Sequence, residues 1–176
     1  MNSLLYNCVT SWNVPPAIKS ELETADAILA FSLGYREFSA SPSNIELARV
    51  ADRLCDQYHI PIMAQHEVAD CLVTKPMVTI RRHRVARQYL DTFEVGAQYN
   101  DHCIRLGFKT VIVVAHPHHQ WRAMCMTSRL GLTPLAADCQ SVPYDPKSIQ
   151  WWTRNSLLFG AREVPHRLLC AWEGKL

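Results

Sequence analysis

The chain has 176 residues, 48% hydrophobic and 19% charged, with 18 basic against 16 acidic side chains and a formal net charge of +2. That length suits one α/β domain with a full core and is short for two. A near-neutral field excludes electrostatic capture of nucleic acid or of an anionic membrane as an organising function, and no apolar run reaches transmembrane length.

Residues 1–24 read as an N-terminal extension. MNSLLYNCVTSWNVPP has no basic segment leading into an apolar one, so no secretory leader is expected. A strand is predicted from Asp26 to Ser32 (DAILAFS), followed by a loop containing Gly34. Ser43 and Glu46 form an S-N-I-E capping box after Pro42. Leu47, Ala48, Ala51, Leu54, Cys55 and Tyr58 then recur at helical spacing, which supplies an apolar face. A second strand is predicted over Pro61–Gln65, and residues 66–89 show no clear period beyond a short strand at Met77–Ile80. The next helix spans Asp91–Leu106, with Phe93, Ala97, Asn100 and Ile104 on one side and Gly107 ending it.

The most informative stretch is Thr110 to Ala123, TVIVVAHPHHQWRA. Val111, Ile112, Val113 and Val114 do not alternate with polar residues, the pattern of a strand covered on both faces. The run stops at His116, His118 and His119, and ligands of parallel sheets bind outside the carboxyl ends of strands. A helix over Gln120–Leu130, ending near Gly131, puts Arg122 in its first turn, beside unpartnered N–H groups that favour an anion. Neither His119 nor Arg122 is expected to contribute to the core. A strand at Thr133–Ala137 precedes the loop CQSVPYDP, and Asp145 with Pro146 suit the N-cap and first position of a helical segment over 145–176. Trp151 and Trp152 on that segment suit packing and leave a homodimer open. The order β-α-β-irregular-α-β-α-β-α predicts a single Rossmann-like domain, doubly wound around a mostly parallel sheet with helices on both faces.

Several groups have a plain structural reading beside a functional one. Asp91 and Glu94 are spaced as a capping box. The histidines 116, 118 and 119 are of the type that ligates transition metals, but H-x-H-H is not the i, i+4 spacing of a helical zinc pair, and no metal is expected. The basic cluster Arg81, Arg82, His83, Arg84 and Arg87 reads as a solvated face rather than a phosphate or nucleic-acid contact. Seven scattered cysteines, an odd number without a CxxC pair, fit a reducing cytoplasm. No G-x-S-x-G elbow is present, and Cys125 falls well into the helix after the histidines.

VVAHPHHQWRA resembles the strand and Thr-Ser-x-x-His-x-x-Arg-Ala pattern of the SanA/ElyC/YdcF-like bacterial domain family, with His119, Arg122 and Ala123 in matching places. DTFE resembles the family's Thr-x-Glu-Asn through Thr92 and Glu94, and TADAILAFSLG resembles its opening strand leading into Gly. The similarity spans about 26–135. The chain departs from the pattern at Ala115-His116 in place of Thr-Ser, at Val95 in place of Asn, and at Gln65-His66-Glu67 in place of Ser-Gly-Gly. The resemblance implies a Rossmann-like fold with a polar pocket at the strand ends. It brings S-adenosylmethionine into view as a cofactor, because family members have been linked to binding it or to envelope and peptidoglycan processes.

Taken together, these features predict a site for a small anionic, nucleotide-type or phosphate-bearing metabolite, bound through Arg122, Thr92, His116, His118, Ser32, Gly34 and His66. Glu94 and His119 are the expected acid-base pair of a transferase or hydrolase. Two alternatives stand beside this reading: a non-catalytic module for S-adenosylmethionine or a related nucleoside, and a metal-dependent hydrolase built on the three histidines.

Overall fold

Five short, mostly apolar runs become the strands of one parallel sheet: β1 Ala27–Ala30, β2 Ile62–Gln65, β3 Val78–Ile80, β4 Thr110–Val114 and β5 Thr133–Ala136. The structure, a computed structural model, describes residues 3–176. Strand order is β3-β2-β1-β4-β5, and every pair is parallel. Ile28 of β1 lies between Ile62 and Ile112, and Leu29 between Met63 and Val113. Pro134 falls on the edge strand β5, where its missing N–H costs no ladder bond.

The helices are α1 Ser3–Thr10, α2 Lys19–Leu22, α3 Pro42–Tyr58, α4 His66–Ala69, α5 Thr92–Leu106, α6 Pro117–Arg129 and α7 Ser156–Trp172. One face of the sheet presents Ile28, Ala30, Ile62, Ile112 and Val114 to Leu47, Ala48, Ala51 and Leu54 of α3. The other presents Leu29, Met63, Val111 and Val113 to Val95, Tyr99 and Cys103 of α5 and to Ala123 of α6. Because both faces are covered, β1 and Val111–Val114 of β4 are wholly enclosed, which is why their sequences carry no alternation. This is the doubly wound α/β architecture the element order predicts. Among the described residues no helix is long and apolar enough to cross a membrane.

Some local expectations are corrected. The N-cap of α3 is Ser41, whose hydroxyl accepts from the Asn44 N–H at 3.2 Å, with Pro42 at the first helical position. Pro42 suits that position because it has no N–H to satisfy, so the Ser43–Glu46 box is not formed. Ser43 instead donates to the Pro143 carbonyl. Helix α5 begins and ends as predicted, between the Asp91 cap and Gly107 at φ 74°, but turns a different face inward. Val95, Tyr99 and Cys103 are buried while Ile104 is exposed. The Tyr99 hydroxyl donates to the Ala30 carbonyl at 2.8 Å, which satisfies the polar end of an enclosed ring. Asp145 and Pro146 open no helix. Asp145 caps a turn through the Lys147 N–H, Trp151–Thr153 form one 3₁₀ turn, and α7 starts only after Asn155, whose side chain accepts from the Leu158 N–H at 2.9 Å.

Candidate functional site

The chain leaves β1 toward α3 on one face of the sheet and leaves β4 toward α6 on the other, so the two connections diverge beyond the carboxyl ends of these strands. A crevice at such a switch point is where open α/β sheets bind ligands. Here it is a cleft of about 840 Å³, walled by the loop after β1, the start of α4, the segments 81–83 and 88–92, and α6, and roofed by residues of 150–166. Of the residues singled out by sequence, Ser32, Gly34, His66, Thr92, His119 and Arg122 line it. Glu94, His116 and His118 do not.

Gly34 holds the β1 side of this wall. Its φ is +67°, and a Cβ there would run into Thr153 Oγ1 and Ser148 Oγ. The neighbouring backbone is tied by side chains, with the Ser32 N–H donating to Gln65 Oε1 at 3.2 Å and the Leu33 N–H to Asn44 Oδ1 at 3.0 Å. Arg36 grips the buried Asp145 carboxylate through two bonds of 2.7 and 2.6 Å, which fastens the segment after residue 144 across the cleft.

The opening of α6 differs from expectation. The helix starts at Pro117, one turn earlier than its apolar pattern suggests, so Arg122 lies in the second turn. The terminal donors are already used: Pro117 has none, the His118 N–H donates to His116 Nδ1 at 3.3 Å, and those of His119 and Gln120 donate to the His116 carbonyl. The backbone therefore offers no open anion cradle here, and the side chains must supply one. His119 and Arg122 are also not peripheral, at 4% and 7% exposed.

Their burial follows from a partner on the last helix. Glu163 of α7 accepts from Arg122 Nε at 2.8 Å and Nη2 at 3.0 Å, and from Arg167 Nε at 2.9 Å. Arg167 is fully enclosed. Its guanidinium lies 4.6 and 4.8 Å from the ring centres of Trp12 and Trp121, and its remaining donors meet the carbonyls of Cys8, Ser11 and His118. Burial pushes the Glu163 carboxyl up, but the charge and hydrogen bonds of Arg122, with the charge of Arg167, more than reverse this and hold it at about 2. Two guanidinium groups thus share one carboxylate. Arg122 Nη1 is directed at Thr92 Oγ1, 2.9 Å away on the cleft wall.

His119 Nε2 lies 3.4 Å from the same Thr92 oxygen, and its Nδ1 is enclosed without a partner. Burial, reinforced by the positive charge of Arg122, drives its pKa well below the ordinary histidine value, so the ring is neutral. His166, also on the cleft wall, is lowered to about 4 by burial and by Arg122 and Arg162.

Glu94 is engaged elsewhere. Its carboxylate accepts from Arg84 Nε at 2.8 Å, Arg84 Nη2 at 3.1 Å, the Arg84 N–H at 3.1 Å and Gln98 Nε2 at 2.7 Å. Burial alone would raise its pKa, and the Arg84 and Gln98 hydrogen bonds outweigh burial and hold it at about 2. Glu94 is thus a fixed structural anion turned from the cleft, and the structure does not join it with His119 as an acid-base pair. Two members of the basic cluster meet carboxylates, Arg84 those of Glu94 and Asp101 and Arg81, at the surface, that of Asp70.

His116 and His118 belong to an aromatic cluster outside the cleft. The His116 ring centre lies 4.2 Å from that of Tyr144, and His118 Nδ1 is 2.7 Å from the Tyr144 hydroxyl. Burial, then the charge of His118, lowers His116 to about 3. His116 and His118 thus share Tyr144, while His119 faces Thr92 across the cleft wall. Among the described residues no group of three His, Cys, Asp or Glu side chains is placed to hold a metal ion.

Sequence reading missed Glu163 and Arg167. Their signal was an i, i+4 pair of opposite charge set in the otherwise apolar run SLLFGAREVPHRLLCAW, obscured by Pro165 inside the helix. Comparisons with protein-family models, with curated proteins and with solved structures found no match to this chain.

Proposed function

We propose that the protein binds a small anionic metabolite, nucleotide-type or phosphate-bearing, in the cleft at the switch point, with the anionic group on Arg122 Nη1 and the Thr92 hydroxyl. The observation that carries this reading is the unbalanced charge of the Arg122–Glu163–Arg167 cluster. Among the described residues neither arginine has a second carboxylate within ion-pair distance. A buried charge without a counterion is costly. Arg167 is walled in by two tryptophans, so the excess positive charge is approachable only through Arg122, from the cleft. Seven free cysteines support a reducing, cytoplasmic setting.

Thermal shift and calorimetry on the full chain with inorganic phosphate, pyrophosphate and adenosine monophosphate test the reading. At least one should raise the melting temperature, and Thr92→Val should weaken its binding about ten-fold through the lost hydrogen bond to a charged group. Absence of binding by all three defeats it. A second reading, a non-catalytic module for S-adenosylmethionine or a related nucleoside, draws on Tyr35 and Trp152 in the cleft wall, flat faces on which a purine can stack. Binding of adenosine as tight as that of its monophosphate would favour it.

A further inference from the structure

Arg122 and Thr92 account for one anionic group, and the same cleft holds a second cation that no carboxylate answers. Arg162 of α7 lines the wall together with His166. Its exposed guanidinium meets neither a carboxylate nor a hydrogen-bond acceptor among the described residues. Its neighbour is the face of Trp152, with the ring centre 5.8 Å away, and Trp152 is another residue of the cleft wall. A guanidinium stacked on an indole is held through its flat face and keeps the N–H donors along its edge. Those donors suit phosphate oxygens, which a guanidinium binds in pairs. The stack also restrains a long side chain, so less freedom is lost when an anion arrives.

The fold places this cation beside the first one. Arg162 and His166 stand four residues apart on α7 and share one face of it. Glu163, next to Arg162 in the chain, holds Arg122 by two hydrogen bonds, so one turn of α7 fixes both guanidinium groups. Burial, then the charges of Arg122 and Arg162, lowers His166 to about 4, as expected of a ring that both cations border. The other arginines of the cleft wall differ. Arg36 is paired with Asp145 and Arg81 with Asp70. Arg82 follows β3 at the sheet edge, and β4, which leads to Arg122, lies three strand positions away. That is about 14 Å at the usual strand spacing, beyond the ~8 Å screening length of physiological salt. A single anionic group on Arg122 leaves Arg162 unanswered, whereas two linked groups satisfy both.

We propose that the ligand of the cleft is a diphosphate, with one phosphate on Arg122 Nη1 and the Thr92 hydroxyl and the other on Arg162, which selects it over a monophosphate. The proposal rests on the anion reading above. Inorganic pyrophosphate and a nucleoside diphosphate share this chemistry.

The test is calorimetry on the full chain at physiological ionic strength with inorganic phosphate, pyrophosphate and adenosine diphosphate. Wild type should bind pyrophosphate at least ten-fold tighter than phosphate. Arg162→Gln should weaken pyrophosphate about ten-fold, the scale of one charge-assisted contact, and change phosphate affinity less than two-fold. Arg82→Gln removes the same charge from the other side of the cleft and should change neither by more than two-fold. Adenosine diphosphate distinguishes the two sources within the proposal, since tighter binding than pyrophosphate assigns the nucleotide and weaker binding the inorganic ion. NMR titration of His166 locates Arg162 independently of any ligand. Arg162→Gln should raise the His166 pKa, because one facing cation is gone while Arg122, Glu163 and Asp91 remain. Equal losses for phosphate and pyrophosphate in Arg162→Gln overturn the proposal, as do an equal loss in Arg82→Gln or an unmoved His166. Phosphate and pyrophosphate bound alike, with Arg162→Gln silent and Thr92→Val weakening both, would refute the diphosphate and keep the anion reading. Failure of the anion reading looks different: neither ion binds, or pyrophosphate binds through Arg162 with Thr92→Val without effect.

Discussion

Glu163→Gln should be among the most damaging single substitutions in this protein. The carboxylate is 2% exposed and accepts three guanidinium hydrogen bonds of 2.8, 3.0 and 2.9 Å. An amide keeps the shape and removes the charge, leaving two buried cations facing each other across a neutral group. The lowering of the carboxyl from 4.5 to about 2 corresponds to about 3 kcal/mol of preference for its charged form, in line with the ~3–5 kcal/mol lost when one partner of a buried ion pair is removed. The pH dependence follows with a definite sign. A carboxylate held below its unfolded value contributes stability that is complete above 4.5 and is lost as pH falls toward about 2. Urea unfolding of wild type and variant should therefore show a gap of about 3–5 kcal/mol at pH 7 that narrows by about 2 kcal/mol at pH 3. Glu94 titrates over the same window, so only the difference between the two proteins isolates Glu163. A gap under about 1 kcal/mol at pH 7, or one that does not change with pH, would refute the account of the charge cluster.

Gly34→Ala should lower stability by about 1–3 kcal/mol, because the residue sits at φ +67° and its new Cβ meets Thr153 and Ser148; a melting temperature equal to wild type would count against the packing of the 145–153 segment on the β1 loop. Burial raises the Cys139 thiol to about 12 and those of Cys103 and Cys125 to about 11, so all three should react slowly with Ellman's reagent in the native protein. After denaturation without reductant all seven should titrate, and a lower count would reveal disulfides and overturn the reducing setting.

The runs that became β1, β2 and β4 were legible because burial on both faces writes an unbroken apolar pattern into the chain itself. Helix α5 was bounded correctly by Asp91 and Gly107 because caps act within a turn or so of themselves. Local rules erred where two local solutions competed. Ser41 with Pro42 displaced Ser43 as the start of α3, and the stripe of Val95, Tyr99 and Cys103 faced inward instead of that of Phe93, Ala97 and Ile104. Only the tertiary structure decided the site. Arg122 meets its carboxylate 41 residues away, on a helix whose start at Asn155 was not recognised. Glu94, expected from sequence as one half of an acid-base pair, is held instead by Arg84. Charge pairing depends on which elements the sheet brings together, and no spacing along the chain encodes that proximity.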